Sequence, residues 1–585
     1  MKVIMENTAR AKNVRFAYSD SEKYAIDGAS LTIGEGEYVA LLGANGSGKS
    51  TMAKLLDVLE MPKEGEVTVF GIDTKDDDKF WDIRKNTGCV FQNPDNQIVG
   101  TTVEEDVAFG PENIGIPNPE LSERVEKALK YVGLFDKKER QTAKLSGGQK
   151  QKLAIAGVLA MSPKFLLLDE ATAMLDPVSR DEFLSLVEKL VRENKISVLT
   201  ITHDMTEASR TDKVYIMEKG KITLEGAPQD VLNNVPEMLE AGLDSPIYSK
   251  LLWEIKNATG LNYSLDDAKT IRSALRFLGA HFTDVKINAP SAKPKYDETL
   301  ISVKDLSYAY DDKGPKALKN IDLDIKKGEL LALVGRSGCG KTTLITHMNG
   351  IIRPQGEGKV EFHYGDTVLT TSKKKDIKKI RQKVGLVFQY PEYQLFEETV
   401  YKDIAYGPKK MGIKGDELDR AIRDAAKQVG LDDEVLDKSP FELSGGQQRR
   451  VALAGVIAMK PEVLVLDEPA AGLDPKGRRE MFKTISKLKE NGTTIVLVTH
   501  YMDEAYEHAD RICTMKDGMI MGVSDPIKMF EDKDNLREME IRAPYLRRFL
   551  EIIAVRLGLD PVSKKNLLRA QSVKEAALLL GGVDA

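Results

Sequence analysis

The apolar positions of this chain fall in short runs that recur in two sets. In each set a run of strand length, "EYVALLG" at 37–43 and "ELLALVG" at 329–335, enters a glycine-rich turn followed by a helix-like segment. Further near-continuous apolar runs lead into Asp169 and His203, and again into Asp467 and His500. Such runs predict strands buried on both faces, as in a parallel sheet, so each half reads as an α/β nucleotide-binding fold. Each set closes on a tail, "SPIYSKLLWEIKNATGL" and "APYLRRFLEIIAVRLGL". Leu251, Leu252 and Ile255, then Leu275 and Leu278, recur at helical spacing, which predicts small helical modules whose apolar stripes pack onto something.

This pattern divides the chain into a first α/β domain at 1–240, its helical C-terminal module at 241–282, a linker at 283–299, a second α/β domain at 300–535 and its module at 536–585. The linker "TDVKINAPSAKPKYDET" has two prolines and little apolar periodicity, the character of an extended tether. It reaches at most about 55 Å, and a covalent link of that length gives the halves a mutual concentration of about millimolar. The halves are expected to pair.

Composition narrows the class. Apolar residues make up 42% of the chain and charged residues 30%, as in a soluble globular protein. Runs such as "FLLLD" and "VLVLD" fall far short of the roughly 20 apolar residues that span a bilayer. The N-terminus lacks the apolar core of a secretory signal, and Cys89, Cys339 and Cys513 form no C-x-x-C pair, so a reducing compartment and no structural metal are expected. A net charge of −6 gives no overall attraction to nucleic acid, and no nucleic-acid partner is expected. The basic stretch "KKKDIKKIRQK" at 373–383 is read as a solvated helix face in preference to a contact surface.

The chemistry is carried by motifs that occur twice. In "GANGSGKST" Gly43, Gly46 and Gly48 allow a tight loop whose backbone N–H groups, with those of Asn45, Ser47 and Thr51, face phosphate at a helix start. Lys49 bridges the β- and γ-phosphates in this reading and Ser50 ligates Mg²⁺. In "GRSGCGKTT" Gly335, Ser337, Gly338, Cys339, Gly340, Lys341, Thr342 and Thr343 take the same places, with Thr342 on the metal. Asp169 and Asp467 end apolar strands, where a carboxylate reaches the magnesium shell, and the adjacent Glu170 and Glu468 take a proton from the attacking water. Each "LSGGQ" (Ser146, Gly147, Gly148, Gln149; Ser444, Gly445, Gly446, Gln447) precedes its glutamate by the same number of residues, and His203 and His500 follow at nearly matched distances. Serine and glycine N–H donors at a helix start suit a γ-phosphate.

These motifs together resemble ATP-binding cassette ATPases over most of the chain, which implies two tandem ABC-type P-loop domains using ATP and Mg²⁺. In that family two cassettes pack head to tail. The resemblance therefore implies that Ser146, Gly147 and Gly148 close on ATP held at Lys341, and Ser444, Gly445 and Gly446 on ATP held at Lys49. It also implies that Gln92 and Gln389 sense magnesium and water, that His203 and His500 contact the γ-phosphate, and that Asp176 and Asp474 couple the sites. Tyr18 and Tyr310 match the aromatic that stacks on adenine, with core packing as the alternative. Departures are Ala171, where a proline often follows the catalytic glutamate, and Met174, where the second half has Gly472. Neither removes a charged or donating group, so both sites are expected to be competent.

The segments "FQNPDNQIVGTTVEEDVAFGPENIGIP" and "FQYPEYQLFEETVYKDIAYGPKKMGI" share F-Q-x-P-x-x-Q, an acidic turn and D-[VI]-A-[FY]-G-P. They resemble the two A-component ATPases of energy-coupling-factor (ECF) importers of vitamins and transition-metal ions, here fused in one chain. This implies a peripheral protein at the cytoplasmic face of the membrane. Its partners would be an integral T component, with coupling helices near Gln92 and Gln389, and an exchangeable substrate-binding S component. Phe109, Tyr406, Glu104, Glu105, Glu397 and Glu398 are contact candidates, with packing and solvation as the alternative. Rival readings are a fused sugar-importer ATPase and a ribosome-associated tandem cassette. The short linker and the paired F-Q-x-P-x-x-Q segments count against them.

Overall fold

A computed structural model describes residues 7–18, 23–91, 93–172, 175, 177–283, 285–289, 294–311, 314–336, 338–389, 391–539 and 541–582. Two compact units emerge: residues 1–249, 264–270 and 474–476 in the first, and 250–263, 271–473 and 477–585 in the second.

The first unit has ten strands: β1 (Asn7–Phe16), β2 (Ile26–Gly34), β3 (Tyr38–Leu42), β4 (Glu64–Val69), β5 (Ile72–Asp73), β6 (Thr87–Val90), β7 (Phe165–Asp169), β8 (Ser197–Ile201), β9 (Lys213–Glu218) and β10 (Lys221–Gly226). One sheet is antiparallel with order β2-β1-β4-β5. The other runs β10-β9-β3-β8-β7-β6, parallel except for β10. The continuous apolar run of β7 has a simple cause in the pleat, which sends successive side chains to opposite faces. Phe165 and Leu167 enter the core between the two sheets, with Met52 and Leu55 of the helix Lys49–Leu56. Leu166 and Leu168 enter a second core with Val125, Leu129, Leu153 and Phe183. That second core is closed by the helices Val103–Asn113 and Glu120–Val132, packed on the helix Gly147–Ala160.

The second unit repeats the plan with β11 (Thr299–Tyr308), β12 (Leu318–Lys326), β13 (Leu330–Val334), β14 (Lys359–Tyr364), β15 (Thr367–Thr370), β16 (Val384–Val387), β17 (Val463–Asp467), β18 (Thr494–Val498), β19 (Arg511–Lys516) and β20 (Met519–Ser524). Its sheet orders are β12-β11-β14-β15 and β16-β17-β18-β13-β19-β20. Val463 and Val465 of β17 pack toward Leu344, Ile345 and Met348 of the helix Lys341–Met348. The duplication seen in the motif order therefore holds strand by strand.

The second unit also holds the C-terminal helices Tyr545–Arg556, Pro561–Leu567 and Val573–Leu580. The helix Ile271–His281 packs against the first of these within the same unit. At Ile287 the chain is pinned: its N–H donates to Ser563 Oγ (3.2 Å) and its carbonyl accepts from Asn566 Nδ2 (2.8 Å). The basic stretch forms the helix Lys374–Lys383, which buries Ile377 and Ile380 and turns most of its lysines to solvent. Among the described residues no helix is long and apolar enough to cross a membrane.

Because Leu167 is buried between the two sheets, Leu167→Ala is expected to destabilise the first unit by about 2–5 kcal/mol. Val562→Ala, at an exposed position, should stay within about 0.5 kcal/mol of the parent. Urea unfolding followed by circular dichroism reads both.

Candidate functional site

Strand order brings the candidate groups of each unit together. In the first unit β3 lies between β9 and β8, and β8 beside β7. The loop after β3, the carboxylates ending β7 and the histidine after β8 thus meet at the C-terminal edge of one sheet. The same holds for β13, β17 and β18 in the second unit.

At both ends of the phosphate loop stand glycines whose backbone leaves no room for a Cβ. Gly48 and Gly340 cap their helices with φ of 108° and 104°, a left-handed conformation that a Cβ penalises. A Cβ on Gly43 would lie 2.3 Å from Met217 O, and one on Gly335 equally close to Met515 O. Lys49 is buried and its Nζ donates to the carbonyls of Gly43 (2.8 Å) and Ala44 (3.0 Å); Lys341 does the same to Gly335 (2.7 Å) and Arg336 (2.9 Å). Burial lowers the Lys49 ammonium from its usual range, opposed by the charges of Glu170 and Asp169. A cation held this way in a loop of inward N–H groups is a preformed anion site.

The metal side is equally local. Thr342 Oγ1 donates to Asp467 Oδ2 (3.0 Å), and the Ser50 hydroxyl bonds Asp169. Burial pushes Asp467 up to about 6, helped by the charge of Glu468, and pushes Asp169 upward too. In each half a carboxylate raised by burial beside a hydroxyl fits a divalent cation, whose charge would offset that cost. Magnesium takes one or two protein oxygens and fills its shell with water and phosphate. A closed protein cage is therefore not required, and among the described residues none of at least three His, Cys, Asp or Glu side chains occurs.

Beside these acids the glutamates go the other way. Burial would raise Glu170, but His203 and Lys49 pull it below the usual carboxylate range; Glu468 is lowered against burial by His500, Lys341 and Gln389. His203 Nδ1 lies 3.5 Å from Glu170 Oε1, His500 Nδ1 3.1 Å from Glu468 Oε1, and Gln389 Nε2 donates to Glu468 Oε2 (2.9 Å). An ionised carboxylate beside a raised one divides the work between proton acceptor and metal ligand. Both glutamates have positive φ, 48° and 49°, uncommon for a residue with a side chain, and each is held there by its N–H donating to the end of the neighbouring strand, Ile201 O and Val498 O (both 2.9 Å).

Ser146 and Ser444 cap the helices Gly147–Ala160 and Gly445–Ile457 with reciprocal boxes. Each serine Oγ accepts from the glutamine N–H three residues on (3.4 Å), and the Gln149 or Gln447 side chain accepts from the serine N–H (3.2 Å). The two glutamines are therefore engaged in holding the cap, while a Cβ on Gly147, Gly445 or Gly446 would touch nothing, leaving the helix start open. Tyr18 and Tyr310 are exposed, which removes core packing as their role. Their hydroxyls pair with Thr51 (3.2 Å) and Thr343 (3.0 Å) of the phosphate-loop helices, leaving each ring beside the loop. Gly46 and Gly338 also have positive φ, Ser47 and Cys339 are buried beneath the loop, and Asn45 lies in it. Gln92, Ser337, Met174 and Asp176 lie outside the described residues.

Behind the histidines lies a pair of buried acids, Glu207 and Glu504, that none of the motifs marks. Glu207 accepts from Thr200, Thr172 and Thr202 (2.5, 2.9 and 3.0 Å), while Asp204 pairs with Arg180 (2.6 Å). In the second half Glu504 accepts from Thr499 (2.8 Å) and lies 3.6 Å from Arg478, whose guanidinium covers the Tyr501 ring. Burial raises both glutamates. The signal was available in "THDMTEA" and "THYMDEA", where a glutamate follows each histidine at the same offset.

Residues 26–173 and 318–471 each match the family model described as ABC transporter. A protein of Caldanaerobacter subterraneus subsp. tengcongensis named "Putative ABC transporter ATP-binding protein" is 35% identical over 91% of this chain and 94% of its own length. A Bacillus subtilis protein named "Putative HMP/thiamine import ATP-binding protein" is 32% identical over 92% of this chain and 95% of its own. Among solved structures, cbiO1 of Clostridium perfringens, described as part of the ABC transporter complex cbiONQ, is 34% identical over 40% of this chain and 95% of its own, with a TM-score of 0.38.

Removing either buried ammonium should cost the nucleotide its charge-assisted contact. Lys49→Ala or Lys341→Ala is expected to weaken ATP binding at its own site by roughly tenfold or more, read by titration with a fluorescent nucleotide.

Proposed function

We propose that this chain, which belongs to the ABC transporter family and carries its ATP-binding domain twice, is the energy-coupling ATPase of an ECF-type importer of vitamins or related micronutrients. It hydrolyses ATP with Mg²⁺, works at the cytoplasmic face of the membrane, and drives a separate T component and an exchangeable S component. Glu170 and Glu468 accept a proton from the attacking water. Asp169 with Ser50, and Asp467 with Thr342, hold the metal, whose charge when bound offsets that of the phosphates. His203 and His500 steady the γ-phosphate, and Gln389 ties the metal side to the partner-facing segment.

The observation that carries the import reading is the repeated segment after Gln92 and Gln389. In the second half it presents Tyr393, Phe396 and Tyr406 exposed, with Phe396 and Tyr406 edge to face at 4.9 Å; the first half presents Val99 and Phe109. Exposed aromatic side chains in the segment that follows Gln389 are the kind of surface that a partner covers. Asp106 and Asp403 hold these loops by accepting from Val99 and Gly100 N–H (2.8 Å) and from Phe396 and Glu397 N–H (3.0 Å). Glu105 is engaged in a capping box with Thr102, Glu104 lies 3.5 Å from Lys138, and Glu398 pairs with Lys402. The aromatics therefore remain the stronger contact candidates. The relative from Bacillus subtilis named for HMP/thiamine import supports the same class of cargo.

Following the family pattern, ATP at Lys49 is completed by Ser444 and ATP at Lys341 by Ser146. Both sites then turn over as a coupled pair. Glu170→Gln and Glu468→Gln should each lower steady-state ATPase by about tenfold or more, and near-parental activity in either single variant would contradict the coupling.

Affinity purification from solubilised membranes should recover an integral membrane protein with this chain. Phe396→Ala with Tyr406→Ala should reduce that recovery by roughly tenfold. Recovery of ribosomes in place of a membrane protein would overturn the transport reading.

A further inference from the structure

We infer that the C-terminal helices of the second half act as a positioning element for His500, by holding the short helix Met502–His508 that begins directly behind it. The inference rests on the γ-phosphate role proposed above for His500, and it names residues that act through that histidine without touching nucleotide.

The C-terminal module is hydrogen-bonded to this one helix at an uncapped helix start and along the segment between its last two helices. The helix Tyr545–Arg556 begins at Pro544, which has no capping side chain, and Asp503 supplies the missing acceptor: its Oδ1 receives the Tyr545 N–H at 2.7 Å. A carboxylate at that position also faces the positive end of the helix. Just past the end of the helix Pro561–Leu567, Tyr506 Oη lies within donating distance of Leu568 O (3.2 Å) and Ala570 O (3.0 Å). Arg547, itself buried, donates to the same Leu568 carbonyl. In the reverse direction Gln571 Nε2 donates to the Tyr506 carbonyl at 2.6 Å. Tyr506, Gln571 and Ala570 are all buried, so breaking these bonds leaves polar groups without water. The Tyr506 ring also meets Phe530 edge on.

Three separate hydrogen-bonded links thus join the module to one seven-residue helix. Tyr501 at its N-cap stacks obliquely on His500, ring centroids 4.1 Å apart, and the His500 ring lies 3.1 Å from Glu468. Movement of the module is therefore passed, over about two helical turns at most, to the group facing the γ-phosphate. The first half is built differently at the matching positions. Thr206 stands where Asp503 does and Ser209 where Tyr506 does, and the Ser209 hydroxyl turns back onto Thr206 O at 2.9 Å. The clamp is a property of the second half, and it gives the two ATP sites unequal dependence on their C-terminal helices.

The test uses the full chain, with steady-state ATPase and hydrogen exchange measured together. Tyr506→Phe and Asp503→Ala should each lower kcat by about three- to tenfold while KM for ATP stays within about twofold, because the lost interaction acts on the reacting state. Asp503→Asn, which keeps a capping oxygen, should restore most of kcat, and Ser209→Ala should leave it unchanged. With ATP bound, exchange of segment 499–508 should quicken in Tyr506→Phe while the rest of the second unit keeps its protection. A parental kcat in Tyr506→Phe, with His500→Ala inactive, would overturn the clamp and spare the reading of His500. A parental kcat in His500→Ala would overturn that reading itself. A fall in kcat accompanied by faster exchange throughout the second unit would reduce the module to general packing and also overturn the inference.

Discussion

Burial of the parallel sheet on both faces is the constraint from which the rest follows. Strand β7 sends alternate side chains into two different cores, and β17 is buried at every position, so along their length such strands have no face left for chemistry. Only the strand ends can offer polar groups to a ligand, and in open parallel sheets ligands gather at the carboxyl ends. The order of β3, β8 and β7 then decides which loops meet. Lysine, histidine and the acid pair come from distant parts of the sequence, yet they become neighbours because their strands are neighbours.

That same crowding shapes the electrostatics. An aspartate and a glutamate are consecutive in the chain, but the positive φ at the glutamate turns its carboxylate away from the aspartate and toward histidine. Burial acts on both acids, and the neighbours determine the outcome: hydroxyl and ammonium leave the aspartate raised, whereas the histidine pulls the glutamate down. Two residues of nearly equal chemistry thus shift in opposite directions because their side chains meet different neighbours.

The duplicated α/β plan, the phosphate loops and the acid pairs were legible in the sequence because each is local. A glycine turn with its lysine, or an apolar run ending in Asp-Glu, carries its own reason within ten residues. The strand order was not legible, since pairing of β3 with β8 joins residues far apart in sequence. The role of Gln149 and Gln447 was half legible: "LSGGQ" marks a helix start, but the reciprocal bond from glutamine back to serine emerges only in three dimensions. The left-handed glutamates escaped entirely, because nothing in their residue type signals that conformation. Tyr18 and Tyr310 could be placed near the loop by spacing, whereas their exposure, which separates a stacking face from a core residue, depends on packing.

The anchoring of the buried glutamates has a consequence for how such a duplicated chain can change. The halves use one scaffold, but Glu207 relies on three threonine hydroxyls while its neighbour Arg180 is engaged with Asp204; Glu504 has one threonine and Arg478. Leu497 and Ala470 occupy the places of Thr200 and Thr172. Recombination between the two repeats that copied Leu497 over Thr200 would strip a donor from a buried carboxylate whose arginine is already committed elsewhere. The repeats have therefore drifted into partly incompatible dialects, in which a residue can be exchanged between halves only together with the partners that answer it.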